Sequence, residues 1–276
     1  MTENCRINYS ADAFGDLRES YNYIANELLA PENAAAQVKR IRKKARSLAS
    51  MPERYVLVEW EPWHSMEVTI GDMIMDNVGR KKQGLPYCYD DPALLGDQHI
   101  YQNKMCEYNL TLPTETEKRQ NLLKEVFAEI GDGCTVETPL NANWGCKHVH
   151  LGRGVYLNSN VTFVDDKHIF IGDNCLIAPN VVFSTSGHPI LPILREHHYV
   201  YNLPIHVGKN VWIGSGAQIM PGITIGDNSV IGAGSVVTND IPANVVAYGV
   251  PCKVIREIGD KDREFYYKNR KLDVWE

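Results

Sequence analysis

Three groups of residues in this sequence have the types and spacing to do chemistry. Gly187-His188-Pro189 presents a single imidazole at the start of the stretch FSTSGHPILPILREHHYVYNLPIHVG. Asp165-Asp166 is a carboxylate pair followed by Lys167 and His168. His148 and His150 stand two apart, so on a strand they share a face, and His197-His198 follow in the quoted stretch. A histidine whose ordinary pKa lies near 6.5 suits a general base that takes a proton from a hydroxyl. No G-x-S-x-G elbow is present, so direct attack of a sugar hydroxyl on a bound thioester is more economical than a route through an acyl-serine. Zinc is a second chemistry, and it needs three imidazoles converging from adjacent repeats. His148 and His150 have no third partner in register, and no metal is expected. A scaffold without chemistry is a third reading. It would explain the regular aliphatic residues but neither the interruption at His188 nor the Asp165-Asp166 corner.

What must position these residues is a six-residue rhythm. Val207, Ile213, Ile219, Ile225, Ile231 and Val237 follow one another without a slip, and Gly208, Gly214, Gly226 and Gly232 trail four of them. Leu151, Leu157 and Phe163 keep the same period upstream, as do Ile171, Ile177 and Phe183. A fixed short period is the signature of a solenoid, and six residues suit a short strand plus a tight turn with one aliphatic side chain pointing inward. Glycine after that aliphatic residue lets the backbone turn or approach its neighbour. The array breaks twice, at Asp165–His168 and at 189–204, and loops thrown from a rigid scaffold are where chemistry tends to sit.

The rest of the chain reads differently. Phe14, Leu17, Tyr21, Ile24 and Leu28 form one helical face that Pro31 ends, and Ala34, Val38, Ile41, Ala45 and Leu48 form another that Pro52 ends. Lys39, Arg40, Arg42, Lys43, Lys44 and Arg46 crowd the other sides of the second helix, as a solvated face or as a surface for nucleic acid or an acidic partner. The strand-like YVLVEW follows, and residues 67–83 form a junction of no clear period. Residues 84–132 read as a small helical domain. In it Thr114 and Glu117 have the spacing of a capping box, Leu123, Val126, Phe127 and Ile130 share a face, and Gly131 suits a left-handed stop. A net charge of −6 gives no bias toward polyanions, and the seven scattered cysteines contain no C-x-x-C pair, as expected of reduced thiols in the cytoplasm. MTENCRINYS has no apolar core, and no run of about eighteen apolar residues could span a membrane.

Two resemblances follow from these motifs. Residues 1–66, through INYSADAFGDLRESYNYIANEL and SLASMPERYVLVEWEPWHSM, resemble the start of RelE/ParE-family toxins. The likeness stops before the later strands of such toxins, which implies a truncated, inactive module with no antitoxin or nucleic-acid partner. Residues 84–276 are similar to the galactoside and maltose O-acetyltransferases of the hexapeptide-repeat superfamily. The carrying motifs are LNSNVTFVDD, IGDNCLIAPNVVFSTSGHP, VGKNVWIGSGAQIMPGITIGDNSVIGAGSVVTNDIPANVVAYGVPCKVIREI and the tail DKDREFYYKNRKLD, which favours the galactoside type.

That resemblance implies a mainly β fold. A left-handed parallel β-helix over 133–258 follows the helical domain and precedes a tail over 259–276. It further implies a cytoplasmic homotrimer with acetyl-CoA as co-substrate, bound in the groove between neighbouring prisms. Acetyl would pass to the 6-hydroxyl of a galactoside or, alternatively, of a maltose- or glucose-type acceptor. His188 would be the general base, and Asn158, Asp166, Asn143, Cys88 and Tyr156 would meet the sugar. Trp212, Ser215, Ala233, Thr238 and Asn239 would meet the co-substrate, with the Ser215 N–H on the developing oxyanion and Lys253 and Arg256 on the CoA phosphates. Four residues depart from the pattern. Asn239 replaces a lysine, Cys88 an acidic ligand that Asp90 or Asp91 could substitute, Asn143 a small or acidic residue, and Val200 a methionine.

Overall fold

The computed structural model describes Lys39, the short strands Leu57–Glu59 and Glu67–Thr69, and residues 76–96 and 98–274. The chain divides into two compact units, residues 1–76 and 77–276. In the first, Leu57–Glu59 pairs antiparallel with Glu67–Thr69. The helical hairpin expected before Pro52 otherwise lies outside the described residues. The stretch read as a junction without period contains the second of these strands and, from Asn77 to Gln83, a helix that belongs to the second unit.

The array is a left-handed parallel β-helix. Three parallel sheets form the sides of a triangular prism, and the chain visits them in turn. Val207 lies on the first sheet, Ile213 on the second and Ile219 on the third, and Ile225 returns to the first in register with Val207. Three steps of six residues therefore complete a coil. Leu151, Ile171, Val207 and Ile225 stack along one sheet, Leu157, Ile177, Ile213 and Ile231 along the next, and Phe163, Phe183, Ile219 and Val237 along the third. All are buried, and the rings of Phe163 and Phe183 stack at 5.3 Å. Burial of each such side chain contributes about 1.5–3 kcal/mol.

The trailing glycines serve approach rather than turning. A Cβ on Gly214 would lie 2.6 Å from the Ala233 nitrogen of the next coil, and one on Gly172 would lie 2.6 Å from the Gly208 oxygen. The turn itself is made two residues later, where Asn210, Gly216, Asn228 and Gly234 have φ between 56° and 70°. Asparagine tolerates that left-handed region and also pairs up the edge. Asn210 Nδ2 donates to Asn228 Oδ1 at 3.1 Å, and Asn228 Nδ2 donates to Asn244 Oδ1 at 2.9 Å.

Helices Gln98–Asn109 and Thr116–Val126 close the open end of the prism, burying Tyr108, Leu122, Leu123 and Val126. Arg119 donates to the Val136 carbonyl at 2.8 Å and to the Tyr108 hydroxyl at 2.9 Å, tying both helices to the first coil. The capping box predicted at Thr114 and Glu117 does not form. The helix starts only at Thr116, and the Glu115 carboxylate instead accepts the Leu112 N–H of the preceding turn at 2.6 Å. Nor does Gly131 stop the helix. The chain is already extended at Phe127, and Gly131 is small because a Cβ there would meet the Gly152 carbon at 2.6 Å. Among the described residues no helix is long and apolar enough to cross a membrane.

The enlarged turn Asp165–His168 runs from the third sheet to the first and buries a charge. Asp165 is fully enclosed, and its carboxylate accepts the Trp144 N–H at 2.6 Å and the His148 N–H at 3.5 Å. Its backbone carbonyl accepts the His148 Nδ1–H at 2.6 Å. Burial pushes Asp165 up to about 6 and His148 down to about 4.

Two measurements check this architecture. Ile219→Ala, at a fully buried position, is expected to lower the unfolding free energy by about 2–5 kcal/mol in a urea titration. The buried pair makes opposite contributions to the pH dependence of stability. The raised Asp165 pKa favours the fold at low pH and its benefit fades as pH rises through about 6, whereas the lowered His148 pKa favours the fold above pH 6.5 and its benefit is lost as pH falls toward 4. In Asp165→Asn stability should therefore climb between pH 4 and 6.5, and in His148→Gln it should fall. Each profile should change by on the order of 2–3 kcal/mol across that window, in opposite directions. Parallel profiles would show that burial does not set these two groups.

Candidate active site

Beside the enclosed Asp165, Asp166 turns outward. Its oxygens accept from Asn143 Nδ2 at 3.0 and 2.9 Å and from Trp144 Nε1 at 3.0 Å. Asn143 is held in turn, because its carbonyl accepts the side-chain amides of Gln98 at 2.9 Å and Gln102 at 2.8 Å. Two of the expected sugar-contacting residues, Asn143 and Asp166, are thus brought together on the edge where the third sheet passes to the first.

His188 leaves the same edge one coil later. Ser186 and Gly187 pair antiparallel with Asn202 and Tyr201, and on the other side Tyr199 and Val200 pair with Cys88 and Tyr87. The excursion that breaks the array is therefore held by strand pairing. A short helix over Pro192–Glu196 carries it out, and the strand Tyr199–Asn202 straps it back. Gly187 has no room for a side chain, since a Cβ would lie 2.6 Å from the Tyr201 ring. The His188 Nδ1–H donates to the Tyr199 carbonyl at 3.1 Å, which assigns the proton to Nδ1 and leaves Nε2 free as an acceptor. Tyr89 stands edge-on to the imidazole at 6.3 Å and stacks on His198 at 5.3 Å, and His198 bonds the Asp90 carboxylate.

These elements enclose a cavity of about 630 Å³ lined by His188, Asp166, Asn143, Trp144, Lys81 and Val200, with Tyr87 and Tyr89 at its wall. Cys88 is not on that wall. It sits between two lining tyrosines on the strand, and its N–H donates to Asn77 Oδ1 at 3.0 Å. Sequence reasoning missed Lys81 and Trp144. Trp144 was within reach, as the neighbour of Asn143, whereas nothing in the stretch around Lys81 marks it.

The other expected residues lie elsewhere on the prism. Tyr156, Leu176, Trp212, Val230 and Val246 run in register along the outer face of the second sheet, with Leu176 and Trp212 half exposed. Asn158, Ser215 and Ala233 follow on the edge between the second and third sheets, where the Ser215 carbonyl accepts the Gly234 N–H at 2.8 Å. Thr238 and Asn239 return to the edge of His188 in a later coil, and Asn239 Nδ2 donates to the Thr238 hydroxyl at 3.1 Å. Lys253 and Arg256 lie on a strand that pairs antiparallel with Val245–Tyr248 at the end of the second sheet. Lys253 is exposed. Arg256 grips Asp262 with two hydrogen bonds of 2.6 and 2.7 Å, which holds the Asp262 carboxyl down at about 2. The guanidinium expected for phosphate is therefore already committed within the tail.

The histidine pair gains a partner that the sequence did not offer. His150 Nε2 lies 2.9 Å from His168 Nδ1, and the His148 ring lies 5.3 Å from that of His168. The sheet register brings His168 beside them, because Ile169 pairs with Val149. Among the described residues, no group of three or more His, Cys, Asp or Glu is disposed to hold a metal ion.

Comparison with known proteins agrees with this fold. Residues 204–239 match the bacterial transferase hexapeptide family (six repeats), and residues 81–131 match the maltose acetyltransferase hexapeptide capping motif. The galactoside O-acetyltransferase of Escherichia coli K12 is 54% identical over 169 residues, 61% of this chain and 83% of that protein. The galactoside O-acetyltransferase of Lactococcus lactis is 47% identical over 68% of this chain and 91% of that protein. A galactoside acetyltransferase solved in complex with coenzyme A superposes with a TM-score of 0.70 at 48% identity, covering 72% of this chain and all of that one. A maltose O-acetyltransferase from Clostridium difficile 630 gives 0.64 at 41% identity, covering 67% and 99%. None of these comparisons supports a toxin-like relative for residues 1–66. From its hexapeptide coils, its capping helices and these relatives, the chain belongs to the hexapeptide-repeat acetyltransferase family of the galactoside and maltose O-acetyltransferases.

Proposed function

We propose that this acetyltransferase moves acetyl from acetyl-CoA to the 6-hydroxyl of a galactoside or related hexose, with His188 as general base. The observation that carries the reading is the His188 tautomer. Nδ1 is spent on the Tyr199 carbonyl, so Nε2 is the basic atom of an imidazole at a cavity that also presents Asp166. In the transfer, Nε2 takes the hydroxyl proton as the sugar oxygen bonds to the thioester carbonyl carbon. The carbon–sulfur bond then breaks, and the proton passes from His188 to the departing thiolate. Asp166, oriented by Asn143 and Trp144, accepts hydrogen bonds from the sugar. Asn158 and Tyr156 are further candidates for sugar contact, and Thr238 and Asn239 for contact with the co-substrate.

The co-substrate residues suit coenzyme A chemically. Trp212 offers an apolar face, Ser215 and Ala233 offer turn backbone, and Lys253 offers an ammonium with no side-chain partner among the described residues. These groups, however, occupy the second sheet and its edge with the third, while His188 and Asp166 occupy the edge between the third and first. The width of the third sheet separates them within one chain. A homotrimer resolves this, with the Trp212 face of one copy set against the His188 edge of the next, as closed cyclic assembly permits.

The test is kinetic. His188→Ala should remain assembled by sedimentation yet lose about 10²–10⁴-fold in turnover of methyl β-galactoside with acetyl-CoA. Turnover near that of the native protein would rule out His188 as the base.

A further inference from the structure

Lys81 is a cation that the cavity holds and the transfer reaction does not use. It lies in the last turn of the Asn77–Gln83 helix, and the end of that helix is pinned to the Asp165–His168 turn. Lys167 Nζ donates to the carbonyls of Lys81 at 3.1 Å and Lys82 at 3.0 Å. With its backbone fixed in this way, Lys81 sends its side chain to the cavity wall. There Nζ stands 4.4 Å over the Trp144 ring and 5.8 Å over that of Tyr87.

The rings attract the charge but accept none of its N–H groups in the ordinary sense. Among the described residues no oxygen lies within hydrogen-bond or ion-pair distance of Lys81 Nζ. The nearby Asp166 carboxylate is turned to Asn143 and Trp144. Burial lowers the Lys81 pKa, Asp166 and Asp165 oppose that, and Lys167 and Lys147 add to it, so the lysine shares its surroundings with two further cations. A partly desolvated ammonium without an acceptor is costly unless a ligand supplies one. In this cavity the ligand is the acceptor sugar.

We infer that Lys81 is a specificity residue that selects an acceptor hexose bearing an oxyanion, a phosphate or a sulfate, placed away from the hydroxyl that is offered to His188. The inference rests on the transfer reading for the identity of that hydroxyl, but not for the binding of the anion.

Titration calorimetry on the full-length protein separates the two. Galactose 1-phosphate, galactose 3-sulfate and methyl β-galactoside are each titrated into the native protein, Lys81→Met and Lys81→Arg. The native protein should bind at least one of the charged sugars about tenfold or more tightly than the neutral one, a preference that weakens with added salt. Lys81→Met should lose that preference and Lys81→Arg should keep most of it, and the phosphate and sulfate arms show which anion is taken. Equal affinity for charged and neutral sugars, or a preference undiminished in Lys81→Met, would overturn the inference. Turnover of the same sugars with acetyl-CoA reports separately on the transfer reading. Charged-sugar preference without any turnover would remove that reading while leaving the role of Lys81 standing.

Discussion

A chain that advances six residues along each side of a triangle can send one side chain per step to the centre. Everything else in the second unit depends on that constraint. The inward positions must be aliphatic or aromatic, because each is stacked between its counterparts in the coils above and below and is sealed from water. The position that follows is glycine where successive coils approach closely, as at Gly172 and Gly214. Two of its three edges turn through a left-handed residue, as Asn210, Gly216, Asn228 and Gly234 do. The result is a rigid prism whose interior carries packing alone. Chemistry is left to its edges, its outer faces and the loops it expels.

The edge between the third and first sheets carries the largest departures from the regular turn, and they are mutually supported. The Asp165–His168 turn buries one carboxylate so that Trp144 and His148 are fixed, and it exposes the next carboxylate to the cavity. The excursion after His188 is strapped between Ser186–Gly187 and Tyr87–Cys88, so the imidazole is oriented by a strand carbonyl rather than by a mobile loop. Both devices draw on the capping segment, through Lys81 and Lys82 at one turn and Tyr87 and Cys88 at the other. The helical cap thus closes the core and also contributes one side of the cavity wall.

Much of this was legible in the sequence, for a physical reason. The six-residue period determines which residues point inward, so the coils and the two interruptions could be read from Val207 to Val237 and from the breaks at Asp165 and His188. Contacts between segments far apart in the chain carried no such signal. Lys81 is held at the cavity in part by Lys167, 86 residues later, which donates to its carbonyl. His168 joins His150 only through the register of coils, and Arg256 is taken by Asp262 through a fold of the tail. The capping box is absent because the helix starts two residues after Thr114, at Thr116. The grouping of site residues onto separate parts of the prism also depends on topology, which no motif displays.

The central claim is that the site is completed only where two copies meet, one giving the His188 edge and the next the Trp212 face. Subunit mixing tests it directly. Chains carrying His188→Ala are unfolded and refolded together with chains carrying Trp212→Ala and Lys253→Ala, and acetyl transfer is measured on the mixture. Random assembly should restore about a quarter of the sites to native composition, and the mixture should recover activity that neither variant has alone. Activity no greater than the average of the two variants would show that each chain builds its site by itself, and would contradict the account.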